Sequence, residues 1–234
     1  MNAQPITTRR LLPLIRQGKT INRAWMELQL QTAQAQGLTL DLGSGESSYF
    51  GALARDQDAR LVRVDVDPGA RPHVVADLEQ SLPFAPASAN CVLLLNVLEH
   101  VYHHELLLRE IGRVLRPGGH LVMFSPFLIA VHTARRGAAG AFTDDYFRYS
   151  SSCLRRLVTD EAGFAGPVDI RPCAFGPFSA SLNLALAGLR GGIVKAAAAA
   201  CALQLDRLLT RRQLGRAGAS RSEWAIGYYV DAVK

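Results

Sequence analysis

The chain has 234 residues, 49% hydrophobic and 20% charged, with a formal net charge of +6. That length supports one sizeable core, and that composition excludes a disordered chain. Cys91, Cys153, Cys173 and Cys201 are scattered without a CxxC pair, which argues against a zinc site or disulfide framework and for a reducing, cytoplasmic setting.

Met1 to Pro13 holds Arg9 and Arg10 but no apolar core long enough for a secretory signal. Thr7 to Ala35 reads as helix, broken or kinked at Pro13 and ended near Gly37. Residues 1–37 are therefore expected to form an N-terminal helical cap on a main domain spanning 38–234. That domain opens with Leu38 to Leu42, an apolar run bounded by turn signals, as a buried parallel strand should be. Within Asp41-Leu42-Gly43-Ser44-Gly45 the two glycines let the backbone turn sharply and approach a ligand. A helix is expected over 47–55 and a strand over 61–65. Asp65 ends that strand twenty positions after Gly45, ahead of Val66, where an acid accepts both ribose hydroxyls of a nucleoside.

The third glycine of a dinucleotide turn is replaced by Ser48, and Asp41 disfavours phosphate while favouring an ammonium or sulfonium group. Further strands are expected over 73–76, 91–95 and 120–125, with helices over 102–115 and 151–162. Asn96 falls at the carboxyl end of a strand, where open α/β sheets bind ligands. Val168 to Phe175 and Ala225 to Val233 supply two last strands around an insertion, 176–222. In the insertion, an alanine-rich helix places Leu205, Leu208 and Leu209 on a face with Ala198, Cys201 and Ala202. It is expected to pack on the domain, pair with a second subunit, or lie on lipid. The longest uncharged apolar stretch, Cys173 to Leu189, is interrupted by Pro177 and is too short for a confident membrane span.

This order of segments resembles the class I S-adenosylmethionine-dependent methyltransferases, in particular small-molecule enzymes with an LEH segment after strand four, here Leu98-Glu99-His100. The resemblance covers residues 38–165. It is carried by the Asp41–Gly45 loop, Asp65, Ala76-Asp77-Leu78-Glu79 with Leu82-Pro83-Phe84, the run Cys91 to His100, and Leu115-Arg116-Pro117-Gly118-Gly119. It implies a Rossmann-like α/β fold: a seven-stranded, mostly parallel sheet of order 3-2-1-4-5-7-6, the last strand antiparallel, with helices on both faces. It also implies S-adenosyl-L-methionine as cofactor, with Asp41, Gly43, Ser44 and Gly45 around its methionine end. Asp65 and Val66 would meet the ribose, and Asp77 and Leu78 the adenine, with Asn96 alongside. Asn90 departs from the aspartate that often begins strand four, a change expected to bear on packing.

A second resemblance, to methyltransferases acting on sugars or cell-envelope precursors, lies in Ser125-Pro126-Phe127-Leu128, His132 and the run Asp144 to Ser150. Through it His132, Tyr146 and Arg148, on a loop expected to lid the acceptor pocket, join His100 of the Leu98-Glu99-His100 segment as the catalytic candidates. An imidazole suits proton removal from a hydroxyl, and the arginine fork suits a carboxylate or phosphate. No metal is expected, and the partner is a small-molecule acceptor.

Charge is uneven. Residues 1–40 and 190–221 together carry +10, leaving −4 for the rest. Basic ends suit an anionic substrate or a peripheral position at the inner membrane face. A nucleic-acid methylating or binding protein is a weaker reading, because Asn96-Val97-Leu98-Glu99 lacks the Pro-Pro-aromatic tetrad of many base methylators. An NAD-dependent oxidoreductase is opposed by Asp41 and the absent third glycine.

Overall fold

A computed structural model describes residues 6–46, 49–131, 134–136, 141–186, 191–213 and 221–234. The chain divides into two compact units: residues 33–125, 131–171 and 229–234 carry the bulk of the sheet, while 1–32, 126–130 and 172–228 are mainly helical.

Seven strands form the sheet: β1 (Leu38–Leu42), β2 (Arg60–Asp65), β3 (Val74–Val75), β4 (Ala89–Leu95), β5 (Leu115–Pro126), β6 (Val168–Pro172) and β7 (Gly227–Val233). Their spatial order is β6-β7-β5-β4-β1-β2-β3, the expected 3-2-1-4-5-7-6 read from the other edge. The first five pair in parallel, with Thr39 opposite both Leu61 and Cys91. β7 runs against β5, since Gly118 donates to the Lys234 carbonyl at one end and Phe127 to that of Ile226 at the other. Leu40, Leu42, Leu93, Leu94 and Phe124 are wholly buried, which is why the central strands read as continuous apolar runs.

Several local expectations are corrected. The expected 47–55 helix is absent from 49–55: Phe50–Ala52 makes one 3₁₀ turn, and Ala54–Arg55 pairs in parallel with Gln34–Ala35. Gly51 in mid-segment disfavours a helix, and the pairing of Ala54–Arg55 with Gln34–Ala35 holds the end of the segment extended. β5 starts at Leu115, because Pro117-Gly118-Gly119 forms a bulge within the ladder instead of preceding it. The 151–162 segment is an α-helix only over Ser151–Arg156 and continues as a π turn over Leu157–Glu161. Asn90 acts locally, as expected: its Oδ1 accepts the Leu38 N–H at 3.1 Å, and it fills the space where a Cβ on Gly37 would sit at 2.6 Å.

The helical unit contains α1 (Thr8–Arg16), α2 (Ile21–Leu30), α5 (Pro177–Leu186) and α6 (Gly192–Gln213); α3 (His104–Val114) and α4 (Ser151–Arg156) belong to the sheet unit. Pro13 lies inside α1, and the break falls at Gly18, whose φ of +98° closes the helix. Gly18 and Lys19 return their N–H groups to the Ile15 and Leu14 carbonyls, the glycine-stop geometry that Pro13 cannot provide. α6 approaches α1 so closely that a Cβ on Gly192 would stand 1.9 Å from the Arg16 carbonyl oxygen. Asp206 of α6 is buried and caps α5, accepting the Phe178 and Ser179 N–H groups at 3.0 and 2.9 Å.

Candidate active site

β1 delivers Asp41, buried, to the edge of the sheet and then turns at Gly43. Gly43 has φ +69° and donates to the Val64 carbonyl at 2.8 Å, and a Cβ there would lie 2.6 Å from Val97 Cγ2. Only glycine satisfies both the left-handed backbone and the space beneath Val97. Gly45 also has positive φ, but open space surrounds its Cβ position. Its N–H donates to Asp65 Oδ2 at 2.8 Å, while Asp65 Oδ1 accepts the Asp67 N–H at 2.9 Å. An ionised carboxylate has about four lone-pair sites, so these two bonds fix Asp65 and leave it capacity for hydroxyl donors. Val66 follows it, half-buried.

Arg63 was not legible as a site residue. It lies on β2 two positions before Asp65 and donates Nε to Ser44 Oγ at 3.3 Å and Nη2 to the carbonyls of Gly45 and of Ala70, the latter at 2.9 Å. It thus ties the glycine turn to the 3₁₀ turn at Pro68–Ala70. The signal available in sequence was its same-side spacing with Asp65 on a strand.

Asp77 is exposed and Leu78 buried, and Asp77 Oδ1 accepts the Glu79 N–H at 3.0 Å. The following Leu82 to Phe84 segment is tied to α3: Glu110 accepts the Leu82 N–H at 2.7 Å, and Arg113 donates to the Leu82 and Phe84 carbonyls. Asn96 ends β4 in the left-handed region, φ +56°, with its N–H on the Phe124 carbonyl at 2.9 Å. Asparagine is among the few side-chain-bearing residues that adopt this backbone, and such outliers gather at functional turns.

Beyond Asn96, Leu98–His100 forms a 3₁₀ turn. His100 Nδ1 lies 2.8 Å from the Asp144 carbonyl oxygen. A carbonyl only accepts, so Nδ1 carries the hydrogen and the lone pair sits on Nε2, 3.8 Å from Glu99 Oε1. Glu99 is wholly buried, and neither carboxylate oxygen meets a hydrogen-bond donor. Burial, and then the nearby Asp145 carboxylate, push its pKa up to about 8, so it is held as the neutral acid at neutral pH.

The Glu99 carbonyl accepts the Tyr146 N–H at 2.9 Å, and the Tyr146 hydroxyl points to Asp144 at 3.3 Å. The structure thereby brings His100 and Tyr146 together around Asp144. Arg148 was expected to clamp an acceptor anion; its guanidinium instead binds the Asp145 carboxylate through Nη1 and Nη2 and the Phe147 carbonyl through Nη1, bracing its own loop. Tyr102, Tyr146 and Phe147 stack edge to face or tilted within 5.3–6.1 Å beside it. His132 and Ser48 lie outside the described residues; around His132, Ala134–Arg136 pairs antiparallel with Ala141–Thr143.

A glycine turn between two strand-end acids, on a sheet of this order, defines the class I S-adenosylmethionine-dependent methyltransferase fold. Residues 40–123 match the methyltransferase domain family model. An uncharacterized methyltransferase of Mycobacterium avium (strain 104) is 41% identical over 101 residues, 38% of this chain and 40% of that protein. One of Mycobacterium leprae (strain TN) is 36% identical over 97 residues, 37% of this chain and 36% of that protein. The chain thus matches well under half the length of these curated relatives. Among solved structures, the complex between the Haloferax volcanii Trm112 methyltransferase activator and the putative methyltransferase has a chain matching at TM-score 0.56. The identity is 15%, over 95% of this chain and 92% of that one. A possible histamine N-methyltransferase of Thermotoga maritima matches at TM-score 0.52 and 16% identity, over 94% and 91% of the two chains. At these identities the likeness is one of fold.

S-adenosylmethionine is the cofactor of this class, and the residues here fit it. Gly45 presents open space above the turn, Asp65 is held by two backbone N–H groups with lone pairs left for hydroxyl donors, and the buried acid Asp41 suits a cationic group.

Proposed function

We propose that the protein is a methyltransferase that moves a methyl group from S-adenosylmethionine to a small-molecule acceptor, a sugar or cell-envelope precursor being the first class to test, in the cytoplasm. The observation that carries this is the Gly45–Asp65 clamp at the carboxyl edge of the sheet, with Asn96 and the His100–Asp144–Tyr146 group at the end of the neighbouring strand.

Bound there, the cofactor supplies an electrophilic methyl on a sulfonium, and the chain supplies position and a proton acceptor. Gly43 and Gly45 bring backbone to the methionine end, Asp65 takes the ribose hydroxyls, and Asp77 and Leu78 take the adenine. Holding two reactants in line in a dry pocket accounts for much of the acceleration. For a hydroxyl acceptor, His100 removes the proton at Nε2 while its Nδ1–H stays on the Asp144 carbonyl. Tyr146, anchored through the Glu99 carbonyl, flanks the acceptor, and Arg148 keeps that loop in shape. An acceptor screen with labelled methyl donor tests this: label should enter an organic acceptor and be lost in Asp65→Ala. Label that enters no member of sugar, lipid-precursor, phenol and acid panels would count against the small-molecule reading.

A further inference from the structure

α6 has two unlike faces. Its packed face holds Ala199, Ala202, Leu203 and Asp206: the two alanines are small enough to allow a close approach, Leu203 is buried, and the acid caps α5. Leu203 is the large apolar residue on that face, and the others point away from it. Ile193, Val194, Leu205 and Leu208 are 70%, 59%, 39% and 47% exposed, and Cys201 is exposed with them. At 100° per residue they fall within one third of the helix circumference, opposite the packed face. The result is an exposed face of apolar and alanine side chains along a 22-residue helix, interrupted by Gln204 and unpartnered in the described residues.

Charge says what covers it. The helical unit carries twelve arginines and lysines against three acids, whereas the sheet unit carries fourteen against seventeen. Two of those three acids are already committed, Glu27 to Lys19 and Asp206 to the α5 cap. Arg9, Arg16, Arg23 and Arg207 are exposed, and Arg211 and Arg212 follow in the last turn of α6. A second copy would bring two strongly positive units together, a repulsion the stripe would have to overcome. Nucleic acid would satisfy the arginines and leave Ile193, Val194, Leu205 and Leu208 in water, with no aromatic side chain on the stripe to stack a base. An anionic lipid surface satisfies both features at once: acyl chains take the stripe and headgroups take the arginines. No helix among the described residues is long and apolar enough to cross a membrane, so the contact would lie in the interface plane.

We infer that α6 docks the protein on anionic membrane surfaces, its Ile193–Leu208 stripe entering the headgroup boundary and its arginines pairing with lipid phosphate. The inference is independent of the methyl acceptor. The test is co-sedimentation of the full chain with neutral phosphatidylcholine vesicles and with vesicles containing phosphatidylglycerol, at low and high salt. Binding to anionic vesicles should exceed that to neutral ones by about tenfold or more and weaken at high salt. Leu205→Asp with Leu208→Asp should cut it by about tenfold while leaving the circular dichroism spectrum unchanged, since both side chains are solvent-facing. Arg207→Glu should weaken it further. Three results would overturn the inference: no vesicle binding at low salt; binding unaltered by the double aspartate variant, which would leave charge alone as the cause; or a lipid-free dimer in sedimentation equilibrium that the same variant dissociates.

Discussion

Replacing Glu99 by glutamine should make the protein more stable as pH rises, and the size of the effect follows from burial. Glu99 has no exposed surface and no donor on either oxygen, and its pKa is raised from 4.5 to about 8 by burial first and then by Asp145. In the unfolded chain the carboxyl ionises near its ordinary value; in the folded chain it keeps its proton until about pH 8. Between those limits the folded state binds one more proton, so stability is full below the lower value and falls with pH, by about 1.4 kcal/mol per unit. Across the interval the loss sums to roughly 5 kcal/mol, levelling off above it. Glutamine has nearly the same shape and cannot ionise. Urea unfolding of both proteins should therefore give a stability difference of under about 1 kcal/mol near pH 5, widening by several kcal/mol in favour of the variant near pH 8. A constant difference across that range would mean that Glu99 titrates normally and finds a partner in the folded protein.

Gly43→Ala should destabilise by about 1–3 kcal/mol, because the added Cβ meets Val97 Cγ2 at 2.6 Å; Val97→Ala should recover only part of this in thermal unfolding, the positive φ persisting. Asn96→Ala should cost about 1 kcal/mol more than Asn96→Gly, since the position demands a left-handed backbone. Arg63→Met should weaken S-adenosylmethionine binding by about tenfold through loss of its hold on Ser44 and Gly45, read by calorimetry alongside an unchanged far-ultraviolet spectrum. Glu110→Ala should lower stability by about 2–3 kcal/mol, leaving the Leu82 N–H without its acceptor and the Arg113 guanidinium with only the Leu82 and Phe84 carbonyls.

The sheet was legible because its central strands are buried on both faces and so appear as unbroken apolar runs, such as Cys91 to Leu95. The glycine turn was legible because two glycines and an acid must stand at fixed spacing for the Gly45 N–H to meet Asp65. Features set by backbone conformation or by a particular pairing were not. The break at Gly18 depends on its positive φ, to which the Pro13 signal was indifferent. The missing helix after the glycine turn follows from the pairing of Ala54–Arg55 with Gln34–Ala35, a contact no local propensity encodes. Arg148 looked like an anion clamp until Asp145, three residues earlier, proved to be its partner. Which face of α6 packs was left open by the sequence, because it is set by the close approach of α1, which buries Ala199, Ala202 and Leu203 and leaves Leu205 and Leu208 exposed.

The account turns on Asp65 and the turn it holds, and calorimetric titration with S-adenosylmethionine and S-adenosylhomocysteine, with NAD as control, addresses that turn directly. Micromolar binding of both sulfur ligands is expected, with no binding of NAD and a loss of about a hundredfold or more in Asp65→Ala, which removes the acceptor of the Gly45 N–H together with the ribose acid. Binding of NAD in place of the sulfur ligands, or sulfur-ligand binding indifferent to Asp65→Ala, would contradict the account.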